Sequence, residues 1–297
     1  MLPEGFSSRA PQLSDLDQVH AVVAAAEMAD LGETFITRED IAGEWAQPNF
    51  DLTRDAVVIE EGGRIVAQGE TFRTRGDATI HPSLRGLGLG TWLLGWIEDG
   101  GRTKGETQAR QTILDRARPA ATLLQNNGYS VDHVGWILEM ALAERPAAPV
   151  SPPGIRLRSF VPGKDDRDVH RVIEDAFNEW ARQREATPFE DWAASVILRS
   201  DFDPLLLDIA EDDGTIVGAC VGLDEGGEGW IHQLAVSSSH RRRGVARALL
   251  RRSFHTWWER GKRSCSLSTD SRTSALSFYE RIGMTVKTTS STYIKQL

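Results

Sequence analysis

The chain has 297 residues, 26% charged and 40% hydrophobic; at ~100–200 residues per domain this is a two-domain globular protein rather than a disordered chain. A net charge of −9, from 34 basic and 43 acidic side chains, argues against a nucleic-acid binder, whose affinity rests on neutralising phosphates. No apolar run reaches the ~20 residues of a membrane span, and the start Met1-Leu2-Pro3-Glu4-Gly5 lacks the basic and apolar regions of a secretory signal. Cys220 and Cys265 alone build neither a disulfide framework nor a zinc site. The expected setting is the cytoplasm, without a metal or a membrane partner, as a monomer or homodimer.

In chain order, short segments of the first half return in the second. Leu16-Asp17-Gln18-Val19-His20 is matched by Arg167-Asp168-Val169-His170, and Ile65-Val66-Ala67 by Ile216-Val217-Gly218. A strand is expected near Asp77 to Ile80, preceded by Gly76. The loop Arg85-Gly86-Leu87-Gly88-Leu89-Gly90 returns as Arg241-Arg242-Arg243-Gly244-Val245-Ala246, and Asn127-Gly128-Tyr129 as Ile282-Gly283-Met284. Four matches in one order, at near-constant separation, indicate a duplicated unit. Between the copies, Arg145 to Gly154 carries Pro146, Pro149, Pro152 and Pro153; such a stretch holds neither helix nor central strand and reads as a semi-rigid linker. The expected division is 1–143, a linker at 144–154, and 155–297.

The second half continues with a strand at Ile155 to Arg158 and a helix from Asp165 to Trp180, with Val169, Ile173 and Phe177 at helical spacing. Leu205 to Ala210 and Ile216 to Leu223 flank Asp212-Asp213-Gly214, a hairpin signal. A strand at Trp230 to Val236 leads through the basic loop into a helix from Gly244 to Trp258, with Ala248, Leu249 and Phe254 on one face. Then follow a strand at Cys265 to Ser268, a short helix at Thr273 to Arg281 closed by Gly283, and a strand from Met284 to Ile294. The fold class is mixed α/β, each copy a mainly antiparallel mixed sheet flanked by helices.

A strand, a basic glycine-rich turn and a long helix together form an anion site. The turn points backbone N–H groups into one concavity at the positive end of the helix dipole, and glycine or alanine keeps side chains out of the ligand's way. A turn of this kind also occurs without a ligand. The loop lacks the Walker lysine, since Thr91-Trp92 follow Gly90, and its glycines at 86, 88 and 90 do not fit G-x-G-x-x-G.

Both Arg85-x-x-Gly88-x-Gly90 and Arg241-x-x-Gly244-x-Ala246 resemble the acyl-CoA pyrophosphate loop of the GNAT acetyltransferase superfamily. Trp230 to Val236 resembles that family's fourth strand, and Ala275 to Met284 its tyrosine-bearing helix. The tandem arrangement, with one intact half, is similar to the mycothiol synthase group. The resemblance implies acetyl-CoA as co-substrate. It implies that Leu234, Ala235 and Val236 offer backbone hydrogen bonds to pantetheine from a splayed strand, and that Arg241 to Ala246 hold the pyrophosphate. It implies further that Tyr279 is the general acid for the leaving thiolate. Arg272 stands where the family often has Asn, and its contact with a phosphate is one expectation. Arg85 to Gly90 either binds CoA unproductively or survives as structure, because Leu124 stands where the repeat would place a second tyrosine.

A general base is also needed, because an alkyl ammonium of pKa near ~10.4 is about one part in a thousand free amine at pH 7. The mycothiol synthase group has Glu at the position of Trp230. Simple alternation puts His232 on the same face as Trp230, and His is the usual base near neutrality; Glu228 or a water are the alternatives. The strand N–H around Val236 would polarise the thioester carbonyl. No cysteine falls at a motif position, so direct attack in a ternary complex is expected. The expected acceptor is a small-molecule primary amine, held near Phe177 to Phe202, where Trp180, Phe189 and Trp192 either line a pocket or cap the core. Alternatives are mycothiol synthase proper, a protein N-acetyltransferase, and a non-catalytic acyl-CoA sensor; the presence of both His232 and Tyr279 weighs against the last.

Overall fold

A computed structural model describes residues 1–72, 74–179, 186–224 and 226–297. The first half runs β1 (Phe6–Arg9), α1 (Leu16–Leu31), α2 (Arg38–Trp45), α3 (Leu52–Asp55), β2 (Ala56–Glu61), β3 (Arg64–Phe72), β4 (Arg75–Ile80), α4 (Leu89–Thr103), β5 (Gln108–Leu114), α5 (Arg118–Asn126) and β6 (Ser130–Ala141). The second runs β7 (Ile155–Ser159), α6 (Asp166–Asn178), α7 (Phe189–Ser195), β8 (Leu207–Asp212), β9 (Thr215–Asp224), β10 (Gly229–Val236), α8 (Val245–Glu259), β11 (Ser264–Asp270), α9 (Leu276–Ile282) and β12 (Thr285–Gln296). The order repeats, as duplication requires.

The chain forms two compact units, one of Met1–Val134 with Thr289–Leu297, the other of Gly135–Thr288. In the first, β1 to β4 are consecutive antiparallel neighbours. There β4 meets β5 in parallel at Arg75 and Arg110, and β5 pairs antiparallel with Ser290 to Gln296 of β12. In the second, β7 to β10 are antiparallel, β10 meets β11 in parallel, and β11 pairs with Gly135 to Ala141 of β6. Each unit thus closes its sheet with a strand from the other half of the chain. The boundaries expected at 143 and 155 therefore do not coincide with the compact units. Leu138 lies fully buried among Cys265, Leu267 and Tyr279, and Tyr293 among Leu94, Ala109 and Leu124. Alternation marks a strand in a sequence but does not name its partner.

In the second unit two apolar layers sandwich the sheet. Val169, Val172, Ile173 and Ala176 of α6 pack with Trp192, Ile209, Ala219 and Ala235 on one face. On the other, Val245, Leu249, Leu250, Phe254 and Trp257 of α8 pack with Cys220, Ile231, Val236 and Tyr279. Ala248, Leu249 and Phe254, expected on one face of α8, are all buried. Where β9 and β10 pass beneath Trp257 the side chains must vanish: a Cβ at Gly229 would lie 2.5 Å from the indole, and one at Gly222 3.0 Å.

Candidate active site

Strand β10 is the organising element. It pairs with β11 only over Gly229 to Ile231, then continues alone beside β9 through Val236. The register with β9 shifts between Ile231 and Gln233, leaving His232 as the extra residue of a β-bulge. A bulge bends its strand and re-aims the side chains beyond it, and this one stands where β10 parts from β11. His232 is exposed there. The simple alternation that set His232 on the face of Trp230 does not hold across the bulge. Past this point, Gln233 accepts a 2.9 Å hydrogen bond from the Trp192 indole, Leu234 is partly buried, and Ala235 and Val236 are buried.

The loop after β10 turns into α8 through an extended residue and two left-handed ones. A short 3₁₀ turn, Ser238–His240, gives way to Arg241 in extended conformation; Arg242 is left-handed at φ 61°, and Gly244 at φ 85° caps α8. The first unit repeats this geometry: a 3₁₀ turn at Pro82–Leu84, extended Arg85, then Gly86 at φ 82° and Gly88 at φ 90° before α4. In each helix the first-turn N–H groups have no intrahelical acceptor and lie at the positive dipole end, a geometry that favours an anion. Val245 and Leu89 anchor the helix starts in the core. Ala246 is partly buried, and a Cβ at Gly90 would press on Leu123 at 3.1 Å.

The arginines divide. Arg241 Nε donates to the Val236 carbonyl at 3.2 Å, and its Nη2 pairs with Glu179 at 2.8 Å. Arg85 makes a two-pronged pair with Asp30, at 2.7 and 2.9 Å. Each first arginine therefore braces its loop against the helix that follows the unit's first strand. Arg243 pairs with Asp212 at 3.2 Å. Arg242 is exposed. Leu87, at Arg243's position in the first loop, is likewise exposed. Arg272 pairs with Asp270 in the turn after β11.

Tyr279 comes from α9, which ends at left-handed Gly283. The ring is buried against Phe278. Burial, reinforced by the neighbouring Cys220 thiol, pushes the phenol well above its ordinary value. Cys220 stands opposite Leu234 in the β9–β10 register, which sets Tyr279 beside the stretch of β10 that has left β11. Glu228 lies before the closed end of that pair and accepts hydrogen bonds from Ser264 and Ser266, with Lys287 at 3.5 Å. In the acceptor region, Trp192 is a core residue and Phe189 stacks edge-on against His170; both close the core. Trp180 lies outside the described residues. Nearby, Asp175, Asn178, Glu179 and Ser237 line a pocket of about 410 Å³. The first unit has Leu124 buried at the tyrosine position, and Gly76 packed against Ile97, where a Cβ would come within 2.3 Å.

The acetyltransferase (GNAT) family model matches residues 167–284. A crystal structure of a GCN5-related N-acetyltransferase from Sphaerobacter thermophilus superposes with a TM-score of 0.78 at 32% identity, covering 100% of this chain and 97% of that one. The chain belongs to the GNAT family. A mycothiol acetyltransferase of Thermomonospora curvata is 30% identical over 215 residues, 71% of this chain and 70% of that protein. A tandem GNAT protein from the clavulanic acid biosynthesis pathway shares the fold, with a TM-score of 0.74 at 16% identity. This protein is thus an acyltransferase of tandem GNAT architecture, and no helix among its described residues is long and apolar enough to cross a membrane.

Sequence reasoning missed the acidic partners. Glu179 follows α6 without a motif, and Asp212 reads only as a turn residue. The Gln233–Trp192 bond was also hidden, because its two ends lie 41 residues apart.

Proposed function

We propose that the second unit is an acetyl-CoA-dependent N-acetyltransferase that acts on a primary amine of a small molecule by direct transfer. The observation that carries this reading is the parting of β10 from β11 beside Tyr279, with the Arg241 to Ala246 nest at the end of the same strand. Pantetheine fits along the vacated edge of β10, where the backbone of Leu234 to Val236 offers hydrogen-bond partners. The α8 amides and Arg242 hold the phosphates.

Within that frame the residues divide the chemistry. His232, exposed at the bulge, takes the proton from the incoming ammonium directly or through water and returns it to solvent. The free amine then forms the new C–N bond while a strand N–H near Val236 polarises the acetyl carbonyl. As the C–S bond breaks, Tyr279 gives its proton to the departing sulfur; a phenol whose pKa lies above the ordinary range remains protonated at neutral pH and is available for this step. The second proton of the attacking nitrogen, lost as the amide forms, restores the phenol through water, so that one proton in all reaches solvent. The acidic lining of the pocket beside Ser237 suits a cationic acceptor. The likeness to mycothiol acetyltransferase supports including the amine precursor of mycothiol in the acceptor panel. We also propose that the first unit does no chemistry, since β4 runs beside β3 without the bulge that carries His232, and Leu124 stands for the acid. Amine-dependent thiol release from acetyl-CoA, measured across a panel of small amines and peptides, tests the reading. Binding without release under any amine would leave the sensor alternative in its place.

A further inference from the structure

The two copies of the acyl-CoA loop differ in how they are held. In the first unit the left-handed position is Gly86, with Leu84 and Leu87 at the positions that His240 and Arg243 hold in the second. The residue at the hairpin end of β2, Glu61, makes no ion pair or side-chain hydrogen bond among the described residues. In the second unit the left-handed position is Arg242, a conformation that an L-residue with a side chain adopts at an energetic cost. His240, two residues before it, and Arg243, the next residue, are both tied to one oxygen. His240 Nε2–H donates to Asp212 Oδ2 at 3.0 Å, and Arg243 Nη1 donates to the same atom at 3.2 Å. With that tautomer, Nδ1 accepts from the Ser239 hydroxyl at 2.8 Å. Arg243 Nη2 reaches the Pro153 carbonyl at 3.5 Å.

Asp212 itself is firmly placed. It pairs with Ile155 of β7 on one side and Thr215 of β9 on the other, and the turn that follows it is closed by left-handed Asp213 and Gly214. Glu61 holds the equivalent register position, opposite Phe6 of β1. The duplication thus supplies its own control: the clamp is present where the loop carries a strained arginine and absent where glycine serves.

We infer that Asp212 is the positioning residue of the second unit's acyl-CoA loop. By tying His240 and Arg243 to the β8–β9 hairpin, it holds Arg242 left-handed, with its guanidinium at the positive end of α8. A cation there is unfavourable until an anion joins it. Arg242 has no ion pair or side-chain hydrogen bond among the described residues, whereas Arg241 and Arg243 are engaged. Arg242 therefore remains for the cofactor phosphates. This role for Asp212 rests on the acetyl-CoA reading of the same loop.

A double-mutant cycle tests it. Asp212→Ala raises the acetyl-CoA dissociation constant and KM about tenfold, as the loss of charge-assisted hydrogen bonds leads one to expect, while kcat changes less than about twofold. In an Arg242→Gly background the same substitution changes affinity less than about twofold, because glycine needs no clamp. Asp212→Asn, which keeps an acceptor for His240, falls between. Equal fold-changes in the two backgrounds, or unchanged affinity in Asp212→Ala, overturn the inference. If the wild type binds no acetyl-CoA, the cofactor reading fails and the clamp is judged without ligand. Amides 240–246 then exchange faster in Asp212→Ala than in wild type, and no faster when Arg242→Gly is already present; identical exchange in wild type and Asp212→Ala refutes it.

Discussion

Tyr279 illustrates how burial sets chemistry at a single residue. Its phenol is surrounded by apolar side chains beside Cys220, so ionisation is disfavoured and the proton stays available. Tyr279→Phe keeps the ring in place and removes the hydroxyl alone. Turnover falls ~10²–10⁴-fold, the usual contribution of a general acid, while acetyl-CoA affinity by calorimetry stays within about twofold. In the first unit Glu70 is the contrasting group, half-buried on β3. It accepts a 2.9 Å bond from the Trp45 indole, and burial, helped by Glu44, holds its carboxyl well above the ordinary range. A carboxyl raised in this way favours the folded state below the unfolded value and loses that contribution as pH rises through the folded one. Glu70→Gln keeps an acceptor and removes the titration. Urea unfolding should show the variant level with wild type near pH 4 and more stable by about 1–3 kcal/mol near pH 8. Tyr279 was legible in the sequence because its short helix carries a family pattern. The Trp45–Glu70 and Trp192–Gln233 bonds were not, because each joins a helix to a strand that only folding brings near.

Helices, strands and the loop were read more fully than their joints. The alternation of β10 and the buried stripe of α8 follow from periodicity, and the glycines at 88 and 244 from the left-handed caps they make. The bulge at His232 escaped, because an extra residue is defined only against the partner strand. The loop after β10 also separates binding from stability. Ala246 lies in the first turn of α8, where an acidic side chain interacts well with the helix dipole but repels phosphates. Ala246→Glu should melt at or above the wild-type temperature and lose acetyl-CoA binding at least about tenfold in calorimetry. Retained affinity in this variant would remove the phosphates from the α8 terminus.

Across the whole molecule, the exchanged strands govern what can be cut. Leu138 is fully buried in the second unit although it precedes the proline-rich stretch. Leu138→Ala should therefore destabilise the unit that carries Tyr279, by ~2–5 kcal/mol. A fragment cut at 155 would lack Gly135 to Ala141 and expose the edge of β11. It should melt without cooperativity, whereas one spanning 135–288 should melt cooperatively in differential scanning calorimetry. Repeats and proline content located the duplication but put its borders at 143 and 155. They carry no information on which strand completes which sheet.

The claim that chemistry resides in the second unit alone is tested most directly by amine-dependent thiol release in two loop variants, Leu87→Glu in the first unit and Ala246→Glu in the second, with melting curves confirming the fold of both. Turnover near the wild-type rate in Leu87→Glu, and its loss in Ala246→Glu at acetyl-CoA concentrations that saturate the wild type, is the predicted result. Loss of turnover in a well-folded Leu87→Glu protein whose second site still saturates with acetyl-CoA would contradict the account, since the first unit would then take part in catalysis.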